Sequence, residues 1–336
     1  MDILLHYTDE YIFDSVYSYL LPHPPIPSSG LPEMFVHNKT ALPSPYTTST
    51  TYYPPSSSGL TTGSLLARDN IVRQGISIFT IALLGAYVMY FLFCSISYFC
   101  FYDRRLEHHP RFLKNQIRME IKSSMIAAPV IDVITLPWFL GEVRGYSKLY
   151  EDVGDYGWAY LAGSCLMFLL FTDLAIYWVH RLEHHPAIYK YIHKPHHKWV
   201  VPTPYAALAF HPLDGYAQSL PYHIFPYLFP LHKYAYLGLF VFVQFWTILI
   251  HDGDMISGHF LERYINSPAH HTLHHLYFTV NYGQYFTWAD SFWDSYRAPE
   301  DKLDPIHASI QNMKKKGLID ADGNSIPQPA PSKKDL

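Results

Sequence analysis

Hydrophobic and polar positions along this chain separate into long apolar blocks joined by short polar stretches. From Gln74 to Tyr102 no charged residue occurs, a run longer than the roughly 20 residues that cross a hydrocarbon layer as a helix. Ser123–Leu140 and Gly157–Val179 are further apolar blocks, interrupted by Asp132 and Asp173. A fourth, Ser219–Ile250, carries His232 and Lys233 near its middle and Pro221, Pro226 and Pro230 in its first half. It reads as a hairpin with halves around 219–231 and 234–250, each short for a span, and the prolines are expected to interrupt the first. Strand signals are sparse, and lipid leaves the helix as the natural spanning element. The predicted fold is all-α: a polytopic membrane protein with about four transmembrane helices or helical hairpins and a cytoplasmic, histidine-rich helical cap.

Composition agrees with that class, at 49% hydrophobic and 17% aromatic against 15% charged residues. The net charge of −4 and the lack of a long basic tract argue against nucleic acid as a partner. Charge placement adds orientation. Arg104, Arg105, Arg111, Lys114, Arg118 and Lys122 crowd the polar stretch after the first block, whereas 141–156 offers only Arg144 and Lys148. The positive-inside rule puts Asp103–Lys122 in the cytoplasm. Following the chain, the amino-terminal region is lumenal, and both 180–218 and the residues from His251 onward are cytoplasmic. Residues 71–300 form the membrane-embedded unit. Residues 1–70, rich in Pro, Ser and Thr, read as a poorly ordered or surface-lying lumenal segment without a signal peptide, so the first span serves as signal anchor. Asn38-Lys39-Thr40 is a glycosylation sequon on that side. Residues 301–336 form a polar tail with a helix around 305–316, ending in Lys333-Lys334-Asp335-Leu336, the form of a dilysine retrieval signal. Cys94, Cys100 and Cys165 all lie in apolar segments, which excludes a disulfide framework and a thiolate metal site.

The candidate chemistry lies in histidines. His180 and His184 are followed by His193, His196 and His197, and later by His271, His274 and His275. Spacings of three and four stack side chains on one helix face, so each triplet is expected to aim its imidazoles at one point. Eight convergent imidazoles exceed what one ion accepts and imply two metals. His251, at the end of the hairpin, is a ninth candidate. His185 points away from the His180/His184 face. His211, His223, His232, His259 and His270 lack such pairing. Arg105–Pro110 echoes Arg181–Pro186, but His108 and His109 have no triplet after them and read as interfacial residues. Asp173 sits two helical turns before His180, where a carboxylate can orient a metal-bound imidazole or cap a neighbouring helix. Tyr177 reads as packing. A water-poor, lipid-accessible site of neutral imidazoles suits iron–oxygen chemistry on an apolar substrate.

The flanks of these histidines resemble a known family. His193-Lys194-Pro195-His196-His197-Lys198-Trp199, continuing through Pro202–Tyr205 to Phe210-His211-Pro212-Leu213-Asp214-Gly215, is similar to the membrane fatty-acid-hydroxylase and sterol-desaturase superfamily, most closely its fungal-type sterol C-5 desaturases. His251-Asp252-Gly253 and His274-His275-Leu276-Tyr277-Phe278, running into Asn281–Gln284, resemble the same subgroup, and the likeness covers about 101–299. It implies a non-haem di-iron enzyme of the endoplasmic reticulum membrane that introduces a C-5(6) double bond into a Δ7-sterol. O2 would be the co-substrate, with electrons from NAD(P)H through cytochrome b5 and its reductase. The eight box histidines map onto His180, His184, His193, His196, His197, His271, His274 and His275, with His251 at an additional family position. Met255 stands where some relatives place another histidine. A C-4 methyl sterol oxidase or lipid hydroxylase of the same superfamily is the neighbouring reading, and a membrane metal transporter or zinc-binding scaffold the non-enzymatic one.

Overall fold

A computed structural model describes residues 1–22 and 64–326. The Asn38 sequon and the Lys333-Lys334 signal lie outside these residues. In chain order the helices are α1 (Asp2–Thr8), α2 (Asp14–Leu20), α3 (Ile71–Cys100), α4 (Gln116–Val143), α5 (Gly157–Glu183), α6 (Pro186–Tyr189), α7 (Pro212–Leu228), α8 (Lys233–Leu249), α9 (Pro268–Tyr277), α10 (Trp288–Phe292) and α11 (Pro305–Lys315). The all-α expectation is met: extended structure among the described residues is confined to two-residue strands and isolated bridges. Helices α3, α4 and α5 are each long and apolar enough to cross a membrane, and α8 is a shorter apolar helix. The tail helix predicted near 305–316 is α11.

The chain divides into two compact units, one of residues 1–85, 132–149 and 226–230, the other of 86–131, 150–225 and 231 onward. In the first, residues 2–20, which composition placed in an irregular segment, are helical, with a π-turn at Asp9–Phe13 joining α1 to α2. A buried ion pair explains the order. Arg73 is fully buried, donates to Asp9 at 2.8 Å and to Asp14, and stacks its guanidinium 4.6 Å from the Tyr17 ring. Unpaired, that charge could not be buried, so the acidic helix and the first turn of α3 require each other. The prolines of α7 also depart from expectation. The helix runs through Pro221 and Pro226, because proline's φ is already helical and its cost is a missing donor. The Pro226 carbonyl would normally bond residue 230, a proline without N–H; Lys148 N–H takes it instead at 2.6 Å. Two residues short of Pro230 the helix ends.

The second unit holds the histidines. Tyr90, Cys94, Tyr205, Ala207 and Ile248 form one apolar core, with the Tyr90 hydroxyl donating to the Tyr205 carbonyl at 2.9 Å. The first turns of α4 hold the segment after His197: Gln116 donates to Val201 O at 2.8 Å, and Glu120 accepts from Thr203 Oγ1 at 2.5 Å. The stretch that follows the second histidine triplet is thereby tied to α4.

Candidate metal centre

Local sequence rules set the position of each imidazole. Helix α5 carries His180 in its last turn and stops at Glu183, because Pro186 drives the residue before it out of helical geometry; His185 has ψ 135°. His184 keeps near-helical angles and stays one turn beyond His180. His193, His196 and His197 were expected on a helix but lie in consecutive turns after α6. Those turns keep helix-like hydrogen bonds, His196 N–H and His197 N–H both donating to His193 O, at 3.0 and 3.3 Å. His251 follows α8 directly, its Nδ1–H donating to Thr247 O at 2.6 Å. Helix α9 starts at a capping box made by Ser267 and His270, with Pro268 at its first position, and is buried from Ala269 through His275. It ends at Phe278 in the left-handed region (φ 66°), which returns Val280 O to His274 Nδ1 at 2.7 Å.

The nine imidazoles sort into two groups. His180, His184, His193, His197 and His274 form one; His196, His251, His271 and His275 form the other; within each, the candidate ligand atoms lie within 4.8 Å of one another. Each triplet is therefore divided. The i,i+4 pair His193/His197 faces the first group while His196 faces the second, and the pair His271/His275 faces the second while His274 faces the first. The expectation that a triplet aims at a single point is overturned. Residues i and i+4 differ by about 40° around a helix, whereas i+3 and i+4 differ by about 100°.

The donor chemistry fits metal ions. A carbonyl can only accept, so Tyr282 O at 3.0 Å, Val280 O and Thr247 O fix the proton on Nδ1 of His180, His274 and His251, and Asp214 Oδ2 does the same for His193 at 2.8 Å. Their Nε2 atoms then carry lone pairs. With both rings neutral, the Nε2 atoms of His180 and His193, 3.1 Å apart, have no proton between them. Neighbouring separations are 3.0 to 3.2 Å in the five-histidine group and 3.0 to 3.4 Å in the other. Two nitrogens bound to one ion at about 2.1 Å lie about 3.0 Å apart in an octahedron and about 3.4 Å apart in a tetrahedron. A cation in each group turns these lone-pair contacts into ligand edges.

The comparisons with known proteins agree with this geometry. Residues 165–295 match the family model for fatty acid hydroxylase. The chain is 58% identical over 333 residues to a Delta(7)-sterol 5(6)-desaturase of Gibberella zeae, covering 97% of this chain and 98% of that relative. The chain belongs to the Delta(7)-sterol 5(6)-desaturase family. A second family member, from Aspergillus fumigatus, is 51% identical over 349 residues, covering 98% of this chain and 99% of its own length. The lathosterol oxidase of Mus musculus is 52% identical over 251 residues, or 74% of this chain and 84% of the relative. No solved structure matches this desaturase-family chain.

Several supports of the site went unnoticed in the sequence. Asp214 and Glu183 flank His193, and Gln218 donates to both, at 2.7 and 3.0 Å. Asp290 accepts from Tyr282 N, Gly283 N and Ser295 Oγ, each at 2.8 Å, and holds the loop whose carbonyl orients His180. Asp173 does not meet a histidine. Its Oδ1 accepts from the backbone N–H groups of Gln284, Tyr285 and Phe286 at 3.2, 2.7 and 3.2 Å, anchoring the same loop from α5. The signal was the family-like runs Phe210–Gly215 and Asn281–Gln284, which contain the residues that position ligands rather than ligands. Met255 packs against Ala269 and Leu273 in an apolar cluster. His108, His109, His211, His232 and His270 join neither group; His108 O accepts from Asn312, His211 Nδ1 accepts from Leu213 N–H, and His232 Nε2–H donates to Glu151 O.

Burial, reinforced by neighbouring imidazoles, holds His196, His197, His271, His274 and His275 well below the usual histidine range. Burial pushes His251 down to about 4. All six are neutral at neutral pH. An unfolded histidine titrates near about 6.5, so below that pH the unfolded chain binds more protons than the folded one. Stability is present in full above about 6.5 and is lost as pH falls toward the folded values. Metal binding needs the same unprotonated nitrogens and weakens over the same window. Heating midpoint and bound metal in detergent are expected to be flat down to about pH 6.5 and to decline below it; improvement on acidification would contradict this account.

Proposed function

We propose that this chain is an oxygen-dependent sterol desaturase that introduces the C-5(6) double bond into a Δ7-sterol during sterol biosynthesis. The observation that carries this reading is the pair of all-imidazole groups built from interleaved triplets, in a chain of near-full-length identity to Delta(7)-sterol 5(6)-desaturases. Nine imidazole nitrogens without thiolate or inward carboxylate suit two iron ions, which when bound supply the oxygen activation that breaking an unactivated C–H bond requires. His180, His184, His193, His197 and His274 would hold one iron, and His196, His251, His271 and His275 the other.

The protein's share is positional. Carbonyls and Asp214 fix the tautomers, burial disfavours protonation of His196, His197, His251, His271, His274 and His275, and the packed loop 281–287 excludes water from one side. Loss of one hydrogen each from C-5 and C-6 of the sterol, with reduction of one O2 to two waters, requires two further electrons and two protons. The resemblance supplies the source as NAD(P)H through cytochrome b5 and its reductase. The charge asymmetry of 103–122 against 141–156 supports placing both histidine groups and the carboxyl terminus on the cytoplasmic side of the endoplasmic reticulum membrane, with the amino terminus lumenal.

The test is a sterol profile by gas chromatography and mass spectrometry in a host that lacks its own sterol C-5 desaturase and expresses this chain. Δ5,7-sterols are expected to reappear. Persistent Δ7-sterols despite inserted protein would reject the assignment, and altered 4-methyl sterols or hydroxylated acyl chains would identify the neighbouring activities.

A further inference from the structure

Both metal groups are buried, so electrons must enter through a surface that reaches both. One short segment supplies ligands to each: residues 189–198 give His193 and His197 to the first group and His196 to the second. The same segment alternates those buried imidazoles with solvent. Lys190, Tyr191, Lys194, Pro195 and Lys198 are all exposed, Tyr191 to 67%. The lysines recur every four residues in turns with helix-like bonding, a spacing that puts them on one side. Among the described residues none of the three is ion-paired. Lys190 Nζ lies 5.5 Å from the Tyr191 ring. Lys198 Nζ lies 4.8 Å from the Trp199 ring and 3.9 Å from Met119 Sδ, which joins the row to the start of α4, with its exposed Arg118 and Lys122, and to exposed Lys114 just before it. Beneath the row, the Tyr189 ring stacks on His184 at 5.4 Å and lies 5.9 Å from His197.

We propose that Lys190, Lys194 and Lys198, extended by Arg118, form the docking surface for an acidic one-electron carrier protein, which delivers electrons through segment 189–198 to both groups. This rests on the desaturase reading. A one-electron carrier must dock twice per turnover, once for each electron that accompanies the two protons and two sterol hydrogens in reducing O2 to two waters. Repeated docking favours a surface that captures quickly and releases quickly. Unpaired surface charge does this, because long-range attraction raises the association rate without the apolar contact that slows dissociation. A membrane anchor accounts for the charges of 104–122, but does not require cations interleaved with metal ligands around an exposed tyrosine.

The experiment uses the full chain in neutral phosphatidylcholine nanodiscs, as wild type and as Lys190→Glu/Lys194→Glu/Lys198→Glu, with a Lys→Gln triple variant beside it. Product formation is driven either by the soluble haem domain of cytochrome b5 with its reductase or by reduced methyl viologen, a small cationic reductant. At low ionic strength the charge-reversed variant is expected to raise the KM for the haem domain by about tenfold or more. Its kcat should change little, the glutamine variant should lie between, and the gap should close as salt is added. Rates with methyl viologen should match wild type. An unchanged KM for the haem domain would overturn the proposal, as would equal losses with both reductants, which would make the lysines part of the fold or of the metal groups. A defect relieved only by adding phosphatidylserine would assign the row to anionic lipid instead. Wild type forming no Δ5 product with either reductant would overturn the desaturase reading itself and this surface with it.

Discussion

Replacing His271 by alanine is expected to lower the metal content from about two ions per chain to about one and to stop turnover. His271 is one of four donors in its group, and His251 and His275 lie 3.0 and 3.2 Å from its Nε2. Three imidazoles remain, too few to enclose an ion that prefers four to six ligands. His274, three residues away, belongs to the five-histidine group and would leave four donors behind. His274→Ala is therefore expected to abolish turnover with a smaller loss of metal and no effect on the other group. In both variants activity should fall by more than about 100-fold, since even residues that only orient a metal ligand cost 10- to 100-fold. Metal analysis by mass spectrometry, together with sterol products from the same membranes, reads both quantities. Identical metal losses in the two variants would refute the division of the triplet.

The second large effect is expected at Asp173. Three backbone N–H groups, those of Gln284, Tyr285 and Phe286, converge on its Oδ1, and Asp173 is fully buried. Asp173→Ala leaves these donors without their acceptor, at about 1–3 kcal/mol for each one left unsatisfied, so the loop loses several kcal/mol of support. That loop carries the Tyr282 carbonyl that orients His180, and a displaced carbonyl frees the imidazole to rotate. We expect a lower heating midpoint by size-exclusion chromatography after heating, reduced metal in the five-histidine group and most activity lost. Asp173→Asn keeps an oxygen acceptor and should recover part of each. Wild-type stability and activity in the alanine variant would show that the loop holds without this anchor.

These effects indicate what could be read from the chain. Three long apolar helices and the shorter helices on either side of Pro230 were legible from apolar length, eight of the nine grouped imidazoles from histidine spacing, and His251 from its place at the end of the fourth apolar block. The partition into two groups was not read, although the angle between positions i+3 and i+4 already implied it, because each triplet was treated as a unit. Asp214 and Asp290 escaped, and Asp173 was singled out without its partners, for a different reason. Their partners are 21, 8 and more than 100 residues away, and pairing at such separations is set by packing rather than pattern. Residues 2–20 were misread because their stabilising partner, Arg73, lies beyond a long Pro- and Ser-rich stretch. Composition averaged the helix into its surroundings.

The interleaving of the triplets also bears on biogenesis. Because the 271–275 triplet is divided between the two groups, one set of donors is complete only with His274 and the other only with His275. Neither group would therefore gain its full donor set before helices α3, α4 and α5, which precede that stretch, have been made. A single-residue insertion within 193–197 or 271–275 would misdirect donors to both centres at once. In these two five-residue stretches, length is as constrained as chemistry.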